Sequence, residues 1–191
     1  FLRAADFAES CKETNNPEWK TVAYDETTDA VVVPKGSVGF RWGEKGKWNL
    51  EEKASNGQDT RLRLSLADVK DSVAAVGFPY FGNREHDHFL GTDHPGVLVR
   101  NVPVKRLKLI EGETLVASVF DLFVANYGVD RGFGGAHLAK SYDDVEPYTP
   151  AWAEKITDVP RDQIITVARE FARNAEKTSG RSMVIVGAGL N

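Results

Sequence analysis

The sequence has little of several features that would assign it to a functional class at once. It contains a single cysteine, Cys11, among 191 residues. One thiol cannot form an internal disulfide bond, nor can it alone hold zinc or an iron–sulfur cluster. No apolar run reaches the length of about 18 residues that a membrane-spanning helix needs. The hydrolase motifs G-x-S-x-G and H-E-x-x-H are also missing, which excludes the commonest serine and zinc hydrolase arrangements.

A surplus of positive charge is missing as well. The 24 Lys and Arg residues are outnumbered by 28 Asp and Glu residues, giving a net charge of −4. Proteins that bind nucleic acid normally concentrate basic residues against the phosphates, so this balance argues against a nucleic-acid partner. Apolar residues at 41% and charged residues at 27% are instead typical of a soluble globular protein.

The two ends of the chain indicate an internal segment of a larger protein. The sequence begins Phe1-Leu2-Arg3, without a methionine or the charged and apolar regions of a signal peptide. It stops at Asn191, inside a glycine-rich loop. We therefore expect both ends to be cut, and the isolated segment to be catalytically inactive, to bind no cofactor and to expose apolar surface.

Residues 1–110 are expected to form a mixed α+β segment with hairpins and long loops. Helical spacing predicts a helix over 1–14, and β-rich stretches at 20–24 and 30–33 predict a hairpin. Alternation predicts a strand over 60–66 that places Leu62, Leu64 and Leu66 on one face. Residues 97–109 predict one or two strands, with a bulge where the apolar parity changes between Val104 and Leu107.

Residues 111–191 are expected to be the helix-rich part of a cofactor-binding α/β domain. A well-buried helix is predicted over 113–127, followed by Gly128. Thr149 and Pro150 predict the start of a short helix, and a second helix is predicted over 160–177. An apolar strand over 182–186 then runs into a glycine loop. This order predicts a partial doubly wound, Rossmann-like domain.

The terminal loop is the candidate cofactor-binding site. It consists of Gly187, Ala188, Gly189, Leu190 and Asn191. A strand that runs into G-x-G lets backbone N–H groups approach a phosphate closely. A third glycine, a following helix and an acidic residue about 20 positions on are not present, so the motif also fits a plain tight turn.

Two further clusters invite a functional interpretation. His86, His88 and His94 could be drawn with neighbouring aspartates as a metal site, but a polar surface loop is favoured. The segment around Trp42 and Trp48 mixes aromatic residues with cations, as single-strand binders do. Glutamates interleaved with them would repel phosphate, so packing of the tryptophans against neighbouring domains or subunits is favoured. We predict no catalytic residue and no metal ligand in the 191 residues.

Several longer segments resemble the molybdopterin oxidoreductases, which hold molybdenum between two pyranopterin guanine dinucleotides. The resemblance lies in residues 148–165, 168–172 and 184–191. Within that family, other segments are similar to the catalytic alpha subunits of membrane-bound respiratory nitrate reductases. These are residues 39–51, 77–82, 103–107, 125–128 and 141–145. The loop at 86–94 departs from the family pattern.

The resemblance implies a parent enzyme that reduces nitrate to nitrite in anaerobic respiration. It implies a molybdenum bis(molybdopterin guanine dinucleotide) centre, a 4Fe-4S cluster, an iron–sulfur beta subunit and a membrane cytochrome b gamma subunit. Electron transport would then occur at the membrane, with the parent peripheral on the cytoplasmic face or, alternatively, the outer face. The resemblance also favours cofactor contact at Gly187–Asn191.

Two alternatives stay open at this point. One is a related molybdopterin enzyme, such as a chlorate or selenate reductase or a dehydrogenase, because the residues that select the substrate are not in this segment. The other is a stand-alone nucleotide-binding α/β module that uses the terminal glycine loop.

Overall fold

The computed structural model describes residues 1–7, 13, 16–35, 53–79, 97–178, 182 and 184. The chain divides into two compact units, Phe1–Leu138 and Ala139–Asn191. The first unit contains two three-stranded antiparallel sheets and one α-helix, and the second contains two α-helices, within these residues. The expected mixture of strands and helices is confirmed. The division near residue 110 stays a prediction, and so does the doubly wound arrangement, because most of 182–186 lies outside the described residues.

The first sheet is built on the predicted hairpin, which is confirmed. Strands β1 (Ala23–Asp25) and β2 (Ala30–Val32) pair antiparallel, and β3 (Leu62–Arg63) pairs with the other edge of β1. A core cluster forms beside this sheet. Its buried members are Phe7, Tyr24, Val31 and Leu66.

The helix predicted over 1–14 is wrong for the described residues 1–7. Only a 3-10 helix, Ala4–Asp6, forms there. The backbone is extended at both Arg3 and Phe7, and Arg3 bridges to Thr21. This pairing with a distant segment fixes an extended backbone that local spacing could not reveal.

The strand predicted over 60–66 is shorter than expected. It contains only Leu62 and Arg63, and Leu64 is 70% exposed whereas Leu66 is buried. The chain leaves the sheet because the backbone N–H of Leu66 donates to the Asp121 carboxylate at 2.8 Å. A polar contact made across 55 residues therefore overrides the alternating pattern.

The second sheet is organised around one long strand. Strand β5 (Val97–Leu109) pairs with β4 (Ser72–Pro79) through its first part and with β6 (Gly112–Val116) through its last part. Both pairings keep a continuous register, so the predicted bulge is wrong. The apolar parity changes because Val102 and Val104 face one core, whereas Leu107 faces the other.

The helix predicted over 113–127 is correct only in its second half. Residues 112–116 are β6, and α1 (Val119–Asn126) begins after the N-cap Ser118. Gly112, the first residue of β6, has a φ of +124° where the chain turns back along β5. Gly128 follows α1 with a φ of +71°, as predicted. The expectation that this helix is well buried is wrong, since Phe123 is 59% exposed.

The helices of the second unit match the sequence closely. Helix α2 (Pro150–Thr157) has Thr149 as its N-cap and proline in its first turn, as predicted. Helix α3 (Arg161–Lys177) begins one residue after Pro160, which is its N-cap. Arg161 joins the two helices through an ion pair with Glu154 at 2.6 Å. Apolar residues of α3 are not enclosed, since Val167 is 66% and Phe171 43% exposed.

Candidate functional site

The residues singled out in the sequence fall mostly outside the described part of the chain. This holds for the loop Gly187, Ala188, Gly189, Leu190 and Asn191, for His86, His88 and His94, and for the tryptophan-rich segment 39–51. Their proposed roles therefore stay predictions. The structure instead places a polar recess in the first unit, which no sequence motif indicated.

The recess lies between β5, the C-terminal end of α1 and the loop that follows the helix. It is a shallow depression that is open to solvent and has room for about one water molecule. Its lining includes Arg100 on β5, Asp121 on α1, and Arg131 and Phe133 on the loop. Two cations and one carboxylate therefore meet at one place, which makes it the best candidate site among the described residues.

Arg100 holds the end of α1 and the following loop against the sheet. Its side chain is 2% exposed. Its guanidinium donates to the carbonyl oxygens of Ala125 and Asn126 at 2.8 and 2.9 Å, which are at the C-terminus of α1. It also donates to the carbonyl oxygens of Ala136 and His137, both at 2.8 Å. A cation at a helix C-terminus complements the negative end of the helix dipole, so Arg100 stabilises this end of the helix.

Asp121 is the buried anion of the site, and its side chain is fully enclosed. Its carboxylate accepts hydrogen bonds from four groups. The donors are the Ser65 hydroxyl, the Leu66 backbone N–H, the Ser118 hydroxyl and the Arg131 guanidinium. Burial by itself raises the pKa of Asp121, but these hydrogen bonds outweigh burial and hold the pKa below its ordinary value.

Arg131 completes the cluster. Besides its ion pair with Asp121, its guanidinium donates to the Ser65 hydroxyl at 2.7 Å. The same group lies over the rings of Phe120 and Phe133, at 5.7 and 5.5 Å from their centroids. Such stacking of a guanidinium on aromatic faces is favourable. The position of Arg131 is therefore fixed by contacts within the protein.

The arrangement of Arg100, Asp121 and Arg131 stabilises the packing of β5, α1 and the following loop. Both guanidinium groups direct their N–H donors at oxygen atoms of the chain itself, and Asp121 directs its lone pairs at internal donors. Within the described ranges, no group of three or more His, Cys, Asp or Glu side chains could hold a metal ion. The recess is thus lined by a polar network that connects a loop, a helix and a strand.

Sequence reasoning missed Arg100, Asp121 and Arg131 because none of them belongs to a motif. Two signals were nevertheless present. Arg100 interrupts the apolar run of β5, and Asp121 is the one charged residue in the apolar helix α1. A charge inside an apolar element is usually buried with a partner when it occurs.

No helix in the described residues combines the length and the apolar character needed to cross a membrane. No family model matches the sequence. Similar curated proteins do exist, and the matches cover 99% or 100% of this chain.

The respiratory nitrate reductase 1 alpha chain of Escherichia coli (strain K12) is 57% identical over 193 residues, which cover 100% of this chain and 15% of the relative. The nitrate reductase alpha chain of Bacillus subtilis (strain 168) is 42% identical over 192 residues, again covering 100% of this chain and 15% of the relative. The respiratory nitrate reductase alpha chain of a Bradyrhizobium species is 40% identical over 195 residues, covering 99% of this chain and 18% of the relative.

Proposed function

The chain is homologous along its whole length to part of the nitrate reductase alpha chains, and we propose that the protein to which it belongs reduces nitrate to nitrite in anaerobic respiration. The observation that carries this proposal is the identity of 57% over 193 residues with a respiratory nitrate reductase alpha chain. The predicted resemblance of residues 39–51 and 77–82 to these subunits supports the same proposal.

The chain spans about 15% of the length of the relatives from Escherichia coli and Bacillus subtilis. We propose that the described residues have a structural role, and that these 191 residues do not form a complete nitrate-reducing centre without other parts of the subunit. The network of Arg100, Asp121 and Arg131 supports this proposal, because all three groups are engaged with the chain itself.

The cofactor of the parent protein is proposed to be molybdenum bis(molybdopterin guanine dinucleotide), accompanied by a 4Fe-4S cluster. When bound, the molybdenum supplies the redox chemistry of oxygen-atom transfer, while the protein positions the cofactor. Among the described residues, no group of three or more His, Cys, Asp or Glu side chains could hold a metal ion. No step is therefore assigned to them.

The glycine loop Gly187, Ala188, Gly189, Leu190 and Asn191 is proposed to contact the dinucleotide part of that cofactor. The support is chemical: glycines allow the backbone N–H groups to approach phosphate oxygens closely. The loop alone is proposed to bind no cofactor, because the remaining walls of such a site would come from other parts of the subunit.

The parent subunit is also proposed to work with others. The words "alpha chain" in the relatives' names support a multi-subunit enzyme. We propose an iron–sulfur beta subunit and a membrane cytochrome b gamma subunit as its partners. With them, the parent would be peripheral on the cell membrane, on the cytoplasmic face.

The test is nitrate reduction by the full-length protein with a dithionite-reduced viologen dye as electron donor. The proposal predicts nitrite formation by the full-length protein and none by the 191-residue chain. A full-length protein that contains molybdenum and reduces chlorate or selenate but not nitrate would contradict the substrate. Nitrite formation by the 191-residue chain would contradict its structural role.

A second measurement separates this proposal from a stand-alone nucleotide module. Calorimetric titration of the 191-residue chain with GTP and with FAD is expected to give no heat of binding. Binding of either nucleotide would favour the module.

A further inference from the structure

Helix α1 has an exposed apolar strip on the side that faces away from the sheet. Val119 and Phe123 of α1 and its C-cap residue Tyr127 follow each other at intervals of four residues, which places them on one face of the helix. They are 60%, 59% and 43% exposed, respectively. The rings of Phe123 and Tyr127 are in contact, with centroids 4.7 Å apart. We refer to these three residues as the outer strip.

The outer strip is not the face by which α1 joins its own core. That role belongs to Ala125 and Leu122, which pack with Phe78, Val102 and Val104 of the sheet. Helix α1 is therefore apolar on both of its sides. A helix with apolar residues on opposite sides is normally enclosed by protein on both.

Charge is missing from the outer strip. The one charged residue of α1 is Asp121, which points inward and is buried. Arg131 lies over Phe120 beside the strip, but its guanidinium is paired with Asp121. Permanent interfaces are more apolar than transient ones, and aromatic residues are enriched in them. The composition of the strip therefore indicates a permanent contact.

The opposite surface of the same layer is also apolar. On the outer side of the β4–β5 pair, Val73, Val97 and Val99 are 44%, 61% and 51% exposed. An antiparallel sheet that faces water on one side normally carries polar residues there. The layer formed by β4, β5 and α1 therefore has apolar surfaces on both sides, as an internal layer of a larger fold would.

We propose that the outer strip of α1 packs against another segment of the same polypeptide, one that lies outside these 191 residues. This inference rests on the proposed function, because it needs the chain to be part of a longer subunit. The relatives provide such a segment, since the matched region is only 15% of their length. The occupant is expected to present uncharged, apolar side chains to Val119, Phe123 and Tyr127.

The size of the strip favours the same polypeptide over a second copy or another subunit. A stable interface between separate proteins takes about 800 Å² and roughly 20–30 residues from each partner. Within the described part of the chain, the three side chains of the strip and the neighbouring Phe120 fall well short of that. Packing within one polypeptide does not need so large an area, because the covalent connection removes most of the entropy cost of association.

The test measures the reactivity of a cysteine at position 123 with a maleimide. Cys11→Ser and Phe123→Cys are introduced into the full-length subunit, which is purified without its partner subunits. Labelling is quantified by mass spectrometry on the peptide that contains position 123. We expect it to be slowed about tenfold or more relative to the same subunit in urea. In the 191-residue chain with the same substitutions, the cysteine is expected to react rapidly.

Two further variants control for effects on folding. Ala125→Cys, at a position 7% exposed on the inner side of α1, is expected to be protected in both proteins. Val119→Cys is expected to behave as Phe123→Cys does. Hydroxyl-radical footprinting of Phe123 and Tyr127 in the unmodified subunit gives the same information without any substitution, and low oxidation of both is expected.

Three results would overturn the inference. The first is rapid labelling at position 123 in the subunit alone, whether or not partner subunits later protect it. The second is protection in the 191-residue chain that disappears on dilution, which would identify a second copy as the occupant. The third is protection in the monomeric 191-residue chain. None of these readouts depends on nitrate reduction. Failure of the proposed function would appear in the activity assay, whereas failure of this inference would appear in the labelling.

Discussion

Asp121 shows how a single buried charge organises the first unit. Its carboxylate accepts hydrogen bonds from three segments. The donors are Ser65 and Leu66 in the loop after β3, Ser118 at the start of α1, and Arg131 in the loop after α1. These donors are up to 66 residues apart along the chain. A substitution at this position therefore affects three separate segments at the same time.

Replacement of Asp121 by alanine is predicted to be strongly destabilising. The change leaves Arg131 and several buried donors without their acceptor, and removal of one partner of a buried ion pair costs about 3–5 kcal/mol. Urea unfolding measures the free energy of unfolding of the wild type and of each variant. Glu113→Ala, an exposed carboxylate on β6, serves as the control and should change stability by no more than about 0.5 kcal/mol. Equal effects of the two substitutions would argue against the network.

The same network predicts a dependence of stability on pH. The pKa of Asp121 is lowered in the folded protein, so its ionised form contributes stability above the unfolded pKa of about 3.9. That contribution is lost as the pH falls through the folded pKa. The difference in unfolding free energy between wild type and Asp121→Ala should therefore shrink below about pH 3.9. A difference that stays constant from neutral to acidic pH would contradict this assignment.

Gly128 is predicted to be required for the position of Arg100. A Cβ atom at Gly128 would lie 2.9 Å from Arg100 Nη2 and 3.0 Å from the carbonyl oxygen of His137. Gly57→Ala is the matched control, because Gly57 also has a positive φ but nothing within 4 Å of the added Cβ. The control should cost about 1 kcal/mol from backbone strain alone. Gly128→Ala should cost about 1–3 kcal/mol more, because of overpacking. Thermal or urea unfolding measures both, and equal costs would contradict the steric argument.

At the scale of single elements, the N-cap of α2 provides a clean prediction. The Thr149 hydroxyl accepts a hydrogen bond from the backbone N–H of Trp152 at 3.1 Å. Thr149→Ala should lower the free energy of unfolding by about 1 kcal/mol. Thr149→Ser keeps the hydroxyl and should retain most of that stability. The capping assignment would be wrong if serine and alanine at this position were equally destabilising in urea.

The elements that could be predicted from the sequence are those fixed by local chemistry. Thr149, Pro150 and Pro160 mark the starts of α2 and α3, because caps and prolines act within one helical turn. Strands β1 and β2 are joined by only four residues, 26–29, so their pairing is also local. The same holds for Gly128 at the end of α1.

The elements that were missed are those fixed by distant contacts. Residues 113–116 have apolar spacing that fits a helix, but pairing with β5 makes them a strand. Context of this kind routinely overrides local preference. The recess could not be predicted for the same reason, since Arg100, Asp121 and Arg131 come together only after β5, α1 and the following loop have packed. The resemblance of whole segments to a family was a more informative signal than any of these patterns.

At the scale of the whole molecule, two observations support a larger subunit. They are the two apolar surfaces of the β4–β5–α1 layer and the homology to part of longer proteins. Each surface of the layer exposes large apolar side chains: Val97 and Val99 on one side, Val119 and Phe123 on the other. Apolar patches of this kind mark surfaces that bind other protein or promote self-association. The proposed larger subunit accounts for both surfaces.

The most direct measurement of the central proposal is the activity of a chimera. The matched segment of the Escherichia coli nitrate reductase 1 alpha chain is replaced by these 191 residues, and nitrate reduction is measured with a reduced viologen dye. At 57% identity over the whole segment, the chimera is predicted to keep a rate within about tenfold of the unmodified subunit, a difference of about 1.4 kcal/mol in the barrier. A chimera that assembles with its full content of molybdenum and forms no nitrite would contradict the account.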